Sequence, residues 1–233
     1  MGAKAFSTFK TDLKFHLGRV QDTSLDDYTS GWLNTAYLTL TTMNRIWSMK
    51  RDFYFPELFD VSTTSCEDAT PYVQAPARCL YVREVWDTTN DVRLDKISWG
   101  DYIGKAGRAD TTSEGDPKFW VVSGATSGTG QYRKIWVYPT PSGGQGIQIF
   151  YRRIPAELSA ATDKTVIGIE WDEPLLQLAV IQSHIRLGEF DRAEYKKKDW
   201  VDAITNLIGI YDKEDFARRD VRAPKVEYIQ REY

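Results

Sequence analysis

The sequence predicts an α+β fold: a four-helix bundle formed by the N- and C-terminal helices, an inserted antiparallel β-sandwich or barrel, and an extended C-terminal arm. Apolar residues recur at helical spacing at both ends, short alternating strands fill the middle, and the last segment is charged with few aliphatic residues. The chain has 233 residues, enough for one large domain or two small ones. The predicted limits are 1–51 and 169–211 for the helical domain, 52–168 for the β domain and 212–233 for the arm.

The N-terminal part predicts two helices. Phe6 to Val20 has an apolar stripe and contains Gly18, a residue typical of helix ends. From Thr23 to Arg51 apolar side chains recur every three or four residues, and Asp22 offers an N-cap oxygen just before them. This second helix is too aromatic to be stable alone in water, so we expect it to form the centre of the helical layer. Its predicted apolar face consists of Leu25, Tyr28, Trp32, Leu33, Ala36, Leu40, Met43 and Trp47.

The middle of the chain changes to a period of two. Phe53 to Phe59 resembles an edge strand that Pro56 interrupts. The clearest strand runs from Arg78 to Trp86, and Asp91 to Ile97 is a weaker one. Short strands separated by turn signals are typical of antiparallel sheets, sandwiches and barrels. Three more are predicted at 119–123, 131–138 and 147–153, separated by the glycine-rich segments SGATSGTG and PTPSGGQG.

Helical spacing returns at Ile169. The acids Glu170, Asp172 and Glu173 lie at the start of this helix, where the helix dipole favours negative charge, and this explains them better than a catalytic pair does. Leu175 to Leu187 supplies the apolar face. A fourth helix is predicted from Phe190 to Tyr211, with Trp200, Ala203, Ile204, Leu207 and Ile208 facing inward and Lys196, Lys197 and Lys198 facing outward.

The sequence predicts no catalytic, metal or cofactor site. His16 and His184 fall in different predicted helices, and no spacing of ligands suggests a metal site. The glycine-rich segment 123–130 lacks the GK[ST] sequence and the following helix that a phosphate loop requires. Cys66 and Cys79 are too few for a disulfide scaffold, which favours reduced thiols. We therefore expect a protein that is not an enzyme.

Charge and hydropathy exclude two classes of partner. The net charge of −3 argues against a protein that wraps nucleic acid, although DNA can pass such a surface without being bound. No apolar run approaches the length of a membrane span, so we expect no membrane partner.

The C-terminal segment from Asp212 to Tyr233 combines basic and aromatic residues but has no core of its own. A disordered tail and a docking arm are both consistent with this pattern at this point. Arginine and aromatic side chains are the anchors that protein interfaces prefer. The candidate contact residues are Phe216, Arg218, Arg219, Arg222, Tyr228 and Tyr233.

Several stretches of the chain carry a family resemblance. They are DTSLDDYTSGWLNTAYLTL and RDFYFPEL in the first part, IWVYPTP and IQIFYRRIPAELS at the last two strands, and the helix start WDEPLL. Together they resemble tailed-phage head-to-tail adaptor proteins, the connectors that dock beneath the portal. The likeness covers both helical ends and the last two strands, but little of 62–130.

The resemblance implies a structural protein of the virion, located in the phage neck and made in the host cytoplasm. It implies a dodecameric ring that joins the portal protein to a tail nozzle or tail tube protein and lines the channel through which double-stranded DNA leaves. The DNA would pass without specific binding. The C-terminal arm would engage the portal, which assigns the six candidate contact residues to portal binding.

An alternative function is a binding module, in which the β domain recognises a glycan or receptor. This reading requires Trp99, Tyr102 and Trp120 to lie exposed in one concave patch. For the helical domain, we expect Trp32→Ala or Trp47→Ala to lower the free energy of unfolding by about 3–5 kcal/mol, as for other buried large side chains.

Overall fold

The computed structural model divides the chain into two compact units, a helical unit of Met1–Phe53 and Leu158–Tyr233 and a β unit of Tyr54–Glu157. Helices and sheets are both present, so the predicted α+β class is confirmed. The structure describes residues 3–42, 55–67, 69–106, 114–125 and 133–222, with only the backbone described at 125 and at 209–222.

The helical unit contains four long helices: α1 (Phe6–His16), α2 (Asp26–Thr42), α4 (Asp172–Arg186) and α5 (Phe190–Arg222). Helix α4 packs against each of the other three, and α1 also packs against α2. Short 3-10 turns precede α2 and α4, and the first is capped by the Asp22 carboxylate, which accepts the Ser24 N–H at 3.0 Å. The buried core of this unit includes Phe9, Leu13, Leu33, Leu40, Leu178, Trp200 and Ile204.

The segment that follows the β unit is bonded to the helices. Asn34 in α2 makes two hydrogen bonds with Leu158: its side-chain oxygen accepts the Leu158 N–H at 2.8 Å, and its amide donates to the Leu158 carbonyl at 2.9 Å. The Val166 N–H donates to the Tyr37 hydroxyl at 3.0 Å. The Phe6 N–H donates to the carbonyl of Asp163 at 2.8 Å. The segment after the β unit is therefore hydrogen-bonded to both N-terminal helices, α1 and α2.

The described part of the β unit forms two four-stranded sheets. The strands are β1 (Phe59–Cys66), β2 (Tyr72–Gln74), β3 (Cys79–Asp87), β4 (Val92–Arg93), β5 (Asp95–Lys96), β6 (Phe119–Ala125), β7 (Arg133–Tyr138) and β8 (Gln145–Arg153), with α3 (Trp99–Ala106) between β5 and β6. The first sheet has the order β1-β8-β3-β4 and is antiparallel throughout, with Val61 opposite Phe150 and Val85 opposite Ile149. The second sheet has the order β2-β7-β6-β5, in which β5 runs parallel to β6.

Both sheets contribute to one hydrophobic core. Ile147 and Ile149 come from the first sheet, while Ile135 and Val137 come from the second, and all four are fully buried. Trp120 lies in the same cluster and donates its indole N–H to the Leu94 carbonyl at 3.2 Å. The alternating burial along β7 and β8 is what a strand with one covered face produces.

The structure corrects several predicted elements. The described strands form two sheets and no closed barrel, and one strand pair is parallel. The strand predicted from Asp91 to Ile97 divides at buried Leu94, so β4 joins the first sheet and β5 the second. Strand β1 was not predicted, because serine and threonine occupy half of this edge strand and weaken its apolar alternation.

Helix α5 is longer than predicted. The sequence predicted an end at Tyr211 and an extended arm from Asp212, but the helix continues to Arg222. The added part contains KEDFARRD, which is rich in helix-forming residues, and neither glycine nor proline occurs between Gly209 and Pro224.

Candidate interaction surfaces

An open groove lined by aromatic side chains lies on the helical unit. It comprises two adjoining cavities of about 560 and 540 Å³, which share Trp32, Thr35 and Arg186. Tyr28 lines the first cavity, and Phe190 lines the second. We call the surface formed by these five residues the aromatic groove. Leu25, Asp27, Gly31, Gln182, Ile185 and Leu187 complete its walls.

The aromatic side chains of the groove are available to a partner. Tyr28 is 61% exposed and Phe190 is 65% exposed, whereas typical core aromatics are covered. The rings of Tyr28 and Trp32 stack on each other with centroids 6.1 Å apart, which holds both against one wall. Exposed aromatic residues that are concentrated in a concave surface are typical of protein-binding sites.

Two charges on the walls of the groove have no partner within the described part of the chain. Arg186 lines both cavities and Asp27 lines the first, and neither side chain makes an ion pair or hydrogen bond with a described residue. A positive and a negative group beside an apolar surface favour an occupant that supplies an apolar side chain and charges of both signs.

This geometry corrects the predicted apolar face of the second helix. Leu25, Leu33, Ala36 and Leu40 are buried as predicted. Tyr28 and Trp32 instead lie to one side of that stripe, and the buried face is completed by Thr29, Tyr37 and Thr41. Met43 and Trp47 lie outside the described residues. Since Trp32 is only partly buried, we expect Trp32→Ala to lower the free energy of unfolding by less than the same change at a fully buried tryptophan.

A charged cluster joins the ends of three helices near this groove. His184 Nδ1 lies 2.7 Å from a carboxylate oxygen of Glu189, in the turn between α4 and α5. Arg192 and Arg19 reach the same carboxylate at 3.3 and 3.6 Å, and Arg19 follows α1. The hydrogen bond with His184, together with the nearby arginines, lowers the pKa of Glu189. The cluster therefore fixes the turn from which Phe190 projects.

The predicted portal-binding residues fall at the end of α5 and beyond it. Phe216, Arg218, Arg219 and Arg222 belong to the helical backbone, and their side chains lie outside the described set. Tyr228 and Tyr233 lie outside the described residues altogether. Residues 216, 218, 219 and 222 share one continuous helix, but the six residues are not brought together as a described site.

The acids and histidines considered in the sequence take structural positions. Asp172 is buried at the start of α4, where it accepts the Lys4 N–H at 2.8 Å and the Thr165 hydroxyl at 3.3 Å; burial raises its pKa. His16 lines a small cavity of about 90 Å³, apart from His184 and its partner. Within the described ranges, no group of three or more His, Cys, Asp or Glu side chains is placed to hold a metal ion.

The aromatic residues proposed for glycan recognition do not form an exposed patch. Tyr102 and Trp120 are each 1% exposed, so the prediction that they grip a ligand is wrong. Trp99 is partly exposed, but its ring stacks on Tyr102 with centroids 5.3 Å apart and contacts Trp136 edge-on. The rings of Trp99, Tyr102 and Trp136 pack together between α3 and the second sheet.

The groove was not predicted, because Tyr28 and Trp32 were both assigned to the apolar face of the second helix. Tyr28 and Trp32 are four residues apart, and this spacing also fits the buried stripe. Two features of the sequence could have indicated the groove. The apolar residues of the second helix form a surface too wide for one contact, and a further aromatic residue, Phe190, lies at the start of the fourth predicted helix. No sequence pattern marked Arg186 or Glu189 as part of a surface, because their roles depend on contacts between helices.

The surfaces described above are of the kind that binds other proteins. Consistent with them, the model of the SU10 adaptor protein family matches residues 5–225, and the chain belongs to this family. It is therefore a phage structural adaptor protein, a virion component that interacts with other virion proteins. No curated protein matches the chain. Among its described residues, no helix is both long and apolar enough to cross a membrane.

Proposed function

We propose that this adaptor is a head-to-tail connector. It forms a dodecameric ring, docks beneath the portal protein and joins the portal to a tail nozzle or tail tube protein. The observation that carries this proposal is membership of a phage adaptor family over residues 5–225. The ring lines the channel through which double-stranded DNA leaves, and the net charge of −3 supports passage without specific binding.

The finer architecture predicted from the sequence is part of this proposal. In it α1, α2, α4 and α5 form a four-helix bundle, and the two sheets pack as a β-sandwich. The contacts of α4 with the other three helices support the bundle. The hydrophobic core shared by Ile149 and Ile135 supports the sandwich. A rigid helical unit of this kind provides a base from which α5 extends.

The C-terminal part of the chain is the portal contact in this proposal. Helix α5 spans 33 residues, a length of about 50 Å, and Ile208 is its last buried residue among those with described side chains. The basic cluster of Arg218, Arg219 and Arg222 follows within the same helix. A basic helix with aromatic residues favours a portal surface that offers carboxylates and apolar pockets.

The test is binding to the portal of the same virus in a pull-down assay. Deletion of 212–233 should abolish binding and leave the chain folded, because the described core residues of α5, up to Ile208, precede this segment. Reversal of the three arginines to glutamate should weaken binding by at least about tenfold. The matched control reverses Lys96, Lys105 and Lys118, three exposed lysines of the β unit.

The outcomes separate a specific contact from an effect of charge. Loss of binding in the arginine variant and retention in the lysine variant would support the proposal. Equal loss in both would indicate attraction by overall charge only. Retained binding by the deleted chain, with unchanged helical content by circular dichroism, would refute the assignment of the segment to the portal.

A further inference from the structure

The outward side of helix α5 presents an exposed aromatic residue between two charges. Tyr195 is 71% exposed, and Asp191 precedes it by four residues while Lys198 follows it by three. Residues at these spacings share one side of a helix. The opposite side is defined by Ala193, Trp200 and Ile204, which are buried. We call the surface of Asp191, Tyr195 and Lys198 the Tyr195 face.

The Tyr195 face and the aromatic groove have complementary chemistry. Within the described part of the chain, neither Asp191 nor Lys198 makes a side-chain ion pair or hydrogen bond, and the same holds for Arg186 and Asp27 in the groove. Among the described residues, the groove thus combines an apolar cavity with a cation, Arg186, and an anion, Asp27, that have no partner there. The Tyr195 face combines an aromatic side chain with an anion, Asp191, and a cation, Lys198, that also have no partner in the described part of the chain.

The two surfaces point in different directions from α5. Phe190 lines the groove, and Tyr195 follows it by five residues, which corresponds to about 140° around the helix axis. One molecule therefore cannot insert its own Tyr195 beside its own Phe190. A contact between two different surfaces of identical chains is heterologous, and such contacts generate rings when the rotation closes.

We propose that the aromatic groove binds the Tyr195 face of a second copy of this chain. Tyr195 of one copy enters the cavity beside Trp32 of the next, Asp191 pairs with Arg186, and Lys198 pairs with Asp27. This inference rests on the ring in the proposed function and identifies the surfaces that join neighbouring subunits. The groove is large enough for an aromatic side chain, since its cavities measure about 560 and 540 Å³.

Charge reversal with rescue tests this pairing in the full-length protein. Arg186→Glu and Asp191→Arg should each weaken self-association by about tenfold or more, because each places like charges opposite each other. The double variant Arg186→Glu/Asp191→Arg should recover most of the lost association, because it restores opposite charges between copies. Arg93→Glu, an exposed arginine on β4, is the matched control. Mass photometry measures the assembly of each variant, alone and mixed with the portal.

The outcomes distinguish this inference from the proposed function. Partial assemblies on the portal for each single variant, and full assemblies for the double variant, would support both. Wild-type assemblies for every variant on the portal would overturn the groove contact and leave the connector function intact. Self-association that follows the pattern of loss and rescue, without portal binding, would support the contact and overturn the connector function. A wild-type chain that neither self-associates nor binds the portal would overturn both.

Discussion

Trp200 and Trp32 provide a direct test of which tryptophans stabilise the helical unit. Trp200 in α5 is fully buried, and its indole N–H donates to the Pro174 carbonyl in α4 at 2.7 Å. Trp32 is half-buried beside the open groove, and its ring contacts exposed Tyr28. We therefore expect the same substitution to have very different effects at the two positions.

The magnitudes follow from burial and from the lost hydrogen bond. Trp200→Ala removes a large core side chain and should lower the free energy of unfolding by about 3–5 kcal/mol. Trp200→Phe keeps most of the ring but loses the N–H donor, and should cost about 1–3 kcal/mol because the Pro174 carbonyl loses this partner. Trp32→Ala should cost about 1–2 kcal/mol, since a partly exposed side chain beside an open groove leaves a smaller cavity than a fully buried one.

Urea unfolding followed by far-ultraviolet circular dichroism measures all three variants against the wild-type protein. Comparable losses for Trp32→Ala and Trp200→Ala would refute the distinction between a core residue and a groove residue. A Trp200→Phe variant as damaging as Trp200→Ala would show that the hydrogen bond, not the packing, dominates at this position.

Two further predictions concern ionisable groups. Because the pKa of Glu189 is lowered in the folded protein, its contribution to stability is complete above pH 4.5 and is lost as the pH falls below that value. Glu189→Gln should lower the melting temperature at neutral pH, and a difference from wild type that persists in acid would contradict this. Burial raises the pKa of the Cys66 thiol to about 11, so a thiol reagent should label native Cys66 slowly at neutral pH. Labelling as fast as in the unfolded chain would show that the thiol is accessible.

Periodicity predicted the buried residues best where one face of an element is covered. Leu33, Ala36 and Leu40 in α2 and Ile147 and Ile149 in β8 repeat at the spacing of their elements, and each is buried. The burial of such residues can be predicted from the local sequence, because any partner that covers one face of an element buries the same positions of that element. The family resemblance also came from these segments, and the matched family confirms its general class.

The remaining features depend on contacts that no local pattern contains. Tyr28 and Trp32 have the same spacing as buried residues, and only the position of α4 leaves them beside a groove. Tyr102 and Trp120 were expected on a binding surface, but Tyr102 packs against the second sheet and Trp120 lies in the core that the two sheets share. Strand β1 depends on pairing with β8, far along the chain, because its own serines and threonines provide little apolar signal.

The interrupted helical unit has a consequence for synthesis in the host. Helix α2 is described as far as Thr42, and α4, its principal packing partner, begins only at Asp172, after the whole β unit. At the usual pace of translation this delay is roughly ten seconds. During that time Leu33, Leu40 and their neighbours have no completed core to enter. The β unit, whose strands are all made by Arg153, is complete first, so it should fold while the N-terminal helices still await their partners.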